Sequence, residues 1–403
     1  MDSIKQLKKL EKEMKIDHKK DVGFRYPSKD GGGSNYERYL EYYNETLSGE
    51  LHPLWIIDIF QSQHSWYLDN ATYQILKIED KEKGIEYFRN ASAYAYLTLL
   101  VQEGCFECEK AVSQQFQNIH TGSVWMSEVL LCGWEEEYQQ IGEWFIESIA
   151  YGKKEKSENS GIYINKLIIS GDEDALVGWF LFDLYCKVYN RSYDESKAKY
   201  PKNMLFFKEI LENWNTKDMA KVEQYVYLMC EYHLEQTQEE VGEDDYFVFD
   251  SAKYWLFPVE VLAWLKLREI HGVENPKEFA HHLMQGEVAK TLYTMRTPLE
   301  KPKELPYVVG LFKKFQEELC PDVKPPKWIK FNEKEIPKIY LKSRELAPKT
   351  GCYQATLPKE HPRAEFLKNS GFDTKRVKEG ETIGTFGLSG GDEELIVWVY
   401  LGE

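Results

Sequence analysis

The sequence predicts a mainly α protein: an irregular antiparallel helical bundle or array, followed by a small all-β C-terminal domain. From about residue 35 to about residue 316, apolar residues recur at spacings of three and four, which is typical of amphipathic helices. Prolines then crowd residues 297–337, where only one helix fits, at about 307–319. Beyond them, short runs of β-branched and aromatic residues alternate with glycines, as strands and turns do.

These changes of pattern divide the chain into four parts. Residues 1–34 are a charged leader that ends in a glycine-rich loop, and residues 35–296 are the helical domain. Breaks in the periodicity leave helices of about 12 to 25 residues with short connections, which is typical of antiparallel neighbours. Residues 297–337 are a proline-rich linker with one helix, and residues 338–403 are the small β-domain. Its predicted strands are 338–342, 352–356, 382–386 and 394–401.

One helix is apolar on nearly every side. Pro258 suits a first helical turn, and Gly272 suits the left-handed residue at which a helix ends. A helix without a wholly polar face is an interior helix around which others pack. Glu260 is the residue that does not fit this description, so it is either a satisfied structural carboxylate or part of a functional site.

Composition and charge limit the classes of function. Of 403 residues, 42% are hydrophobic and 14% aromatic, which excludes global disorder. The formal net charge is −16, and residues 41–336 alone hold −19. Such a body repels nucleic acid and attracts basic proteins. The alternative is that the charge only keeps a helical protein soluble and monomeric, although a homo-oligomer stays compatible with the sequence.

Cysteine use and hydropathy indicate the compartment. The seven cysteines are odd in number and scattered, which argues against a disulfide framework. The N-terminal segment lacks the apolar core of a signal peptide, and no segment reaches the roughly 18 uninterrupted apolar residues that a membrane span needs. We therefore expect a cytoplasmic protein without a membrane partner.

Apolar helical segments contain several carboxylates, which need partners if they are buried. They are Asp58, Glu128, Asp183 and Glu260. A carboxylate-bridged di-metal centre needs Glu-x-x-His from each of two helices, and the chain offers it once, at Glu278–His281. We therefore interpret these carboxylates as structural groups that pair with Arg268, tyrosine hydroxyls or indole N–H groups, and we expect no metal and no cofactor.

Two further patterns suggest enzymes but lack their context. Residues 387–391 read Gly-Leu-Ser-Gly-Gly, which matches a nucleophile elbow, but a strand follows and no histidine lies beyond His361. Cys105 and Cys108 form a lone Cys-x-x-Cys pair without a second pair at zinc-site spacing. We therefore expect no enzymatic activity.

Acidic residues form two clusters that we take as candidate partner-binding residues. The denser cluster comes just before the apolar helix, and the second lies in the middle of the helical domain. A solvated face is the structural alternative, whereas the functional interpretation is a surface that meets a basic protein. The candidates are Glu239, Glu240, Glu243, Asp244 and Asp245, together with Glu135, Glu136 and Glu137.

The residues around the apolar helix resemble a known family. Tyr254-Trp255-Leu256-Phe257-Pro258-Val259-Glu260, the turn Gly272–Pro276 and the end His282–Met284 are similar to PoNe-immunity-like proteins, the immunity partners of bacterial polymorphic nuclease toxins. The resemblance is close over about 40 residues and general over about 230. It implies a non-enzymatic protein that binds and neutralises a cognate, basic toxin. The proline-rich segment and the extra β-domain depart from that pattern.

Two other functions stay open at this point. A helical-repeat scaffold or regulator would bind a peptide or protein in a groove lined by aromatic residues. A metal-dependent helical-bundle enzyme would use the carboxylates of the helical domain.

Overall fold

The computed structural model describes two compact units of the chain, a helical unit that extends to Ile329 and a β unit from Lys330 onward. The predicted fold class, mainly α with a small C-terminal β-domain, is confirmed. The described residues are 5, 7–10, 12, 42–43, 45–47, 54–77, 80–107, 118–151, 175–198, 200–237, 248–249, 252–330, 340–357, 363, 374–385, 393 and 395–402.

Helices make up most of the helical unit. None of those in the described part of the chain combines the length and the apolar character that crossing a bilayer requires. In chain order they are α1 (Trp55–Lys77), α2 (Lys81–Glu107), α3 (Ile119–Leu131), α4 (Glu135–Tyr151), α5 (Leu176–Val188), α6 (Phe207–Glu212), α7 (Met219–Glu235), α8 (Ala252–Trp255), α9 (Val259–Ile270), α10 (His282–Gln285), α11 (Glu287–Tyr293) and α12 (Val308–Glu318).

Helix α3 lies at the centre of this unit. It contacts α2, α4, α5 and α9, and eleven of its 13 residues are buried. Its N-terminus is capped by Asn118, whose side chain accepts a hydrogen bond from the Thr121 N–H at 2.8 Å. Helix α5 approaches it closely at Gly178, where a β-carbon would lie 2.5 Å from the Cα atom of His120. The glycine therefore allows two buried helices to pack backbone against backbone.

Helix α9 is the interior helix that the sequence predicts. Pro258 stands immediately before it, and nine of its 12 residues are buried. Gly272 has φ +70°, and the Val273 N–H returns to the Arg268 carbonyl at 2.8 Å, so the helix ends in a glycine turn of the Schellman kind. Both boundary predictions are confirmed.

The predicted linker differs from what we expected over residues 297–329, which belong to the helical unit. Its helix is present as α12, close to the predicted bounds. The Trp134 indole N–H donates to the Leu299 carbonyl at 2.8 Å, and the Tyr94 hydroxyl donates to the Pro306 carbonyl at 2.6 Å. This proline-rich segment therefore packs on the helical unit. A proline lacks a backbone N–H group, but its carbonyl still accepts a hydrogen bond, as that of Pro306 does. In the leader, Leu7 and Leu10 are also buried.

The β unit contains one antiparallel sheet in the order β1-β4-β2-β3, with β1 at Tyr340–Lys342, β2 at Gly351–Thr356, β3 at Thr374–Val377 and β4 at Val397–Gly402. Burial alternates along β2, and Tyr353 and Trp398 are fully buried in the core of the unit. The predicted strand at 382–386 is not found: Thr382 forms only an isolated bridge with Leu346, and residue 386 lies outside the described residues. Strand β3 was not predicted from the sequence.

We predict that Gly178→Ala lowers the free energy of unfolding by about 1–3 kcal/mol, because the new methyl group overlaps the α3 backbone. In an unhindered helix the same change is stabilising by up to about 1 kcal/mol, so the sign is diagnostic. Urea denaturation measures the difference, and Lys187→Ala, at an exposed position of α5, is the control. An unchanged or increased stability would contradict the close approach of α3 and α5.

Candidate functional site

The carboxylate of Glu260 is buried inside the helical unit and bound by a histidine. Its Oε1 lies 3.0 Å from Nδ1 of His233 on α7, and both side chains are completely inaccessible. The other ring nitrogen, Nε2, lies 3.0 Å from the Tyr254 carbonyl and must donate to it, since a carbonyl only accepts. His233 therefore links the Glu260 carboxylate to the backbone of α8.

Glu128 on α3 has a matching arrangement. Its Oε2 lies 2.7 Å from Nε2 of His64 on α1, and its Oε1 accepts the Tyr254 hydroxyl at 2.9 Å. Burial is the main cause that raises the pKa of Tyr254 well above its ordinary value, and the nearby Glu128 carboxylate raises it further. The hydroxyl therefore keeps its proton and donates a hydrogen bond to Glu128. Tyr254 thus joins the two pairs, and we call His64, Glu128, Tyr254, His233 and Glu260 the His–Glu network.

The His–Glu network has the properties of a structural element. It ties together α1, α3, α7, α8 and α9, and both carboxylates are fully buried. A substrate has no access to these groups without separating the helices, and buried pairs of this kind fix the relative positions of helices. Glu260 and Glu128 each have a specific buried partner, which supports their interpretation as structural carboxylates. Those partners are histidines, which we did not predict from the sequence.

Asp183 on α5 is bound by two tyrosines, as we expected of these carboxylates. The hydroxyl of Tyr193 donates to Oδ1 at 2.7 Å, and that of Tyr200 donates to Oδ2 at 2.5 Å. Desolvation outweighs these hydrogen bonds and raises the pKa of Asp183 to about 6. The residue is half-buried, at the edge of the helical unit.

Arg268 and Asp58 differ from the expectation. Arg268 is buried but does not bind Glu260. Its guanidinium donates to Asn275 Oδ1 at 2.7 Å and to the Trp214 and Glu274 carbonyls at 2.9 and 2.7 Å, so it holds the turn after α9. Asp58 is only half-buried in the first turn of α1, where the helix dipole favours a carboxylate.

The half di-metal motif does not form a ligand pair. Glu278 is exposed and precedes α10, whereas His281 is the N-cap residue of α10 and contacts Oε1 of Glu231 at 2.8 Å. Glu278 and His281 therefore do not share a helix face. Within the described residues, no cluster of three or more His, Cys, Asp or Glu side chains has the arrangement of a metal site.

The candidate acidic surface at residues 135–137 is smaller than we expected. Glu135 accepts the Tyr189 hydroxyl at 2.8 Å, and Glu137 is buried against Lys301. Glu136 alone of these three is exposed. The first turn of α4 therefore uses two of its carboxylates for packing. The denser cluster, Glu239, Glu240, Glu243, Asp244 and Asp245, lies outside the described residues.

A pocket of about 220 Å³ opens beside the C-terminal end of α9. Several of its polar side chains are already engaged with other residues. Arg296 contacts Oε2 of Glu269 at 2.8 Å and stacks on the ring of Tyr293, while Asn275 receives Arg268. The pocket is therefore a surface crevice beside the turn that follows α9. The contacts among its side chains do not indicate a particular class of ligand.

Another surface was missed by our sequence reasoning. Tyr227 on α7 is 52% exposed, and Leu205, shortly before α6, is 48% exposed. Both are large apolar side chains outside the hydrophobic core. A signal was available: Val222, Val226 and Met229 repeat at helical spacing on the buried side of α7, which leaves Tyr227 on the outside.

We predict that Glu260→Ala lowers the free energy of unfolding by about 3–5 kcal/mol, because it leaves buried His233 without its carboxylate. Glu260→Gln keeps a hydrogen-bonding partner and should have a smaller effect. Thermal and urea unfolding measure both variants, and Glu136→Ala, at an exposed carboxylate, should stay within about 0.5 kcal/mol of the parent. A Glu260→Ala chain with unchanged melting would exclude the structural role.

A second prediction concerns Asp183 and pH. The pKa of its carboxyl is about 6 in the folded chain and ordinarily 3.8, so the folded chain retains a proton that the unfolded chain releases. The stability from this proton is complete below pH 3.8 and is lost as pH rises through 6. Asp183→Asn has no such loss. The unfolding free energy of the variant minus that of the parent should therefore increase by about 1–2 kcal/mol between pH 4 and pH 7. Parallel pH profiles would contradict the raised pKa.

Comparison of the chain with family models, with curated proteins and with solved structures finds no match. The resemblance to PoNe-immunity-like proteins, which is best between Tyr254 and Met284, therefore stays a prediction from the sequence.

Proposed function

We propose that this chain is a cytoplasmic immunity protein that binds a basic, nuclease-type toxin and covers its active site. One observation carries the proposal: the interior carboxylates of Glu128 and Glu260 are bound by internal partners, whereas many exposed carboxylates have no cation beside them. Among the described residues of the helical unit, the exposed carboxylates without an ion pair include Glu82, Glu136, Glu212, Glu235, Glu278, Glu304, Glu317 and Asp322.

Unpaired surface carboxylates suit a basic protein partner. A nuclease keeps a positive surface for the phosphates of its substrate, and an acidic protein competes for that surface. Complementary charge also accelerates association, which matters for a toxin that has to be captured before it acts. The motif resemblance favours the same role, because the proteins it resembles neutralise toxins by binding.

The proposal does not require chemistry from this chain. The histidines and carboxylates of the His–Glu network are fully buried, and Asp183 is held by two tyrosine hydroxyls. Neither group presents a nucleophile or an acid–base pair to a pocket. Occlusion of the toxin by a stable surface is therefore the mechanism that fits these side chains.

We expect the product of the gene directly upstream to be toxic when expressed alone and harmless when co-expressed with this chain. The two purified proteins should form a complex, and a toxin variant without catalytic activity serves for the binding measurements. The association rate should fall at least tenfold between about 50 and about 500 mM salt, because screening weakens steering. Absence of a complex would refute the immunity role, whereas a salt-insensitive rate would refute only its electrostatic basis.

A further inference from the structure

The outer side of α7 contains an aromatic residue that the fold does not use. Helix α7 starts after Asp218, whose side chain accepts hydrogen bonds from the N–H groups of Ala220 and Lys221. Tyr227 does not belong to the buried side of α7, which includes Val226, and it is 52% exposed. Its hydroxyl makes no hydrogen bond with any residue in the described part of the chain. An exposed tyrosine with a free hydroxyl is a common anchor of protein interfaces.

Tyr227 is nevertheless held in place. The ring of His281 packs edge-on against it at 5.2 Å, and Nε2 of His281 lies 2.8 Å from Oε1 of Glu231. Glu231 is one helical turn from Tyr227 on the same side of α7. The side chain therefore loses little conformational freedom when a partner covers it, and binding is favoured accordingly.

Leu205 lies beside the C-terminal half of α7. Helix α6 runs back along α7, because Phe206 contacts the ring of Tyr232 at 5.9 Å and Glu209 accepts the Tyr225 hydroxyl at 2.7 Å. Leu205, which is 48% exposed, precedes Phe206 and is therefore close to the part of α7 that contains Tyr232. Two exposed apolar side chains, Tyr227 and Leu205, thus lie on or beside α7.

The backbone of Leu205 is in the left-handed region, with φ +50°. This conformation is unfavourable for leucine and ordinary for glycine or asparagine. The turn is held by Asn203, whose Oδ1 accepts the Leu205 N–H at 2.9 Å. Because the Leu205 side chain is about half exposed, packing in the hydrophobic core does not explain why a leucine occupies this position. Strained residues of this kind occur often at functional sites.

The charges beside these side chains indicate the partner. Glu223 and Glu235 flank Tyr227 on α7, and neither forms an ion pair within the described residues. Lys221, the nearby cation on α7, is bound to Glu209 at 3.2 Å. In the sequence, α7 is followed by the acidic residues 239–245. A basic segment complements this side of the helix, whereas an acidic one is repelled.

We propose that Leu205, Glu223, Tyr227, Glu231 and Glu235, which we call the α7 face, dock a Lys/Arg-rich segment of a protein partner. The two apolar side chains contact aliphatic or aromatic groups of that segment, and the carboxylates of Glu223 and Glu235 receive its cations. This proposal rests on the proposed function, in that the partner is the toxin. It assigns the contact to α7 rather than to Glu135–Glu137.

The test uses the full chain and the catalytically inactive product of the upstream gene, with affinity measured by titration. Tyr227→Ala should weaken binding at least tenfold, as removal of an interface anchor does. Leu205→Asn should weaken binding while the melting temperature stays the same or rises, since asparagine accepts the left-handed conformation. Glu235→Lys should slow association and reduce its dependence on salt.

Glu136→Lys is the matched control, because it makes the same change of charge at an exposed carboxylate of α4. It should change affinity less than Glu235→Lys does. A photocrosslinker at position 227 should join the two proteins, whereas one at position 136 should not. A complex that tolerates all three α7-face variants overturns this surface and leaves the proposed function intact. Absence of any complex overturns both.

Discussion

The positions of the central helices depend on one constraint, the need to give hydrogen-bond partners to two carboxylates that the fold has placed out of reach of water. Glu128 and Glu260 each take a histidine, and Tyr254 connects the two pairs by its hydroxyl on one side and its carbonyl on the other. Burial without these partners is strongly unfavourable, so α1, α3, α7 and α9 pack only in arrangements that bring them together. The four-residue helix α8 contributes Tyr254 and is therefore more important than its length suggests.

The same constraint explains the abundance of tyrosine. The sequence contains 27 tyrosines, and many of the described ones supply hydroxyl donors inside the helical unit. Tyr185 donates to Glu143 at 2.6 Å, Tyr225 to Glu209 at 2.7 Å, and Tyr293 to the Pro276 carbonyl at 2.6 Å. A tyrosine buries a large apolar ring and still satisfies a polar group at its edge. Tyr227 is different because its hydroxyl has no such role, which is why it is informative about function.

Local sequence rules predicted most helices and strands, but they did not predict which side chains bind the buried carboxylates. The bounds of α9 follow from Pro258 and Gly272, since both residues have strong backbone preferences. Strand β3, Thr374–Val377, has no alternation of apolar and polar residues, so no local pattern predicts it. The partners of Glu260 and Glu128 lie 27 and 64 residues away, and no spacing rule connects them. His233 shares the buried side of α7 with Val226 and Met229, and that periodicity was the available signal.

Helix α7 connects the buried network to the proposed surface. His233 points inward to Glu260, whereas Tyr227, six residues earlier, is exposed to solvent. A helix fixed on one side by a buried ion pair presents its other side with little freedom, and interfaces gain affinity from such preorganisation. Glu260 therefore need not touch a partner to influence binding, since it acts through the position of α7. If α7 docks a partner as we propose, its buried side serves stability and its exposed side serves recognition, so substitutions on the exposed side should separate the two.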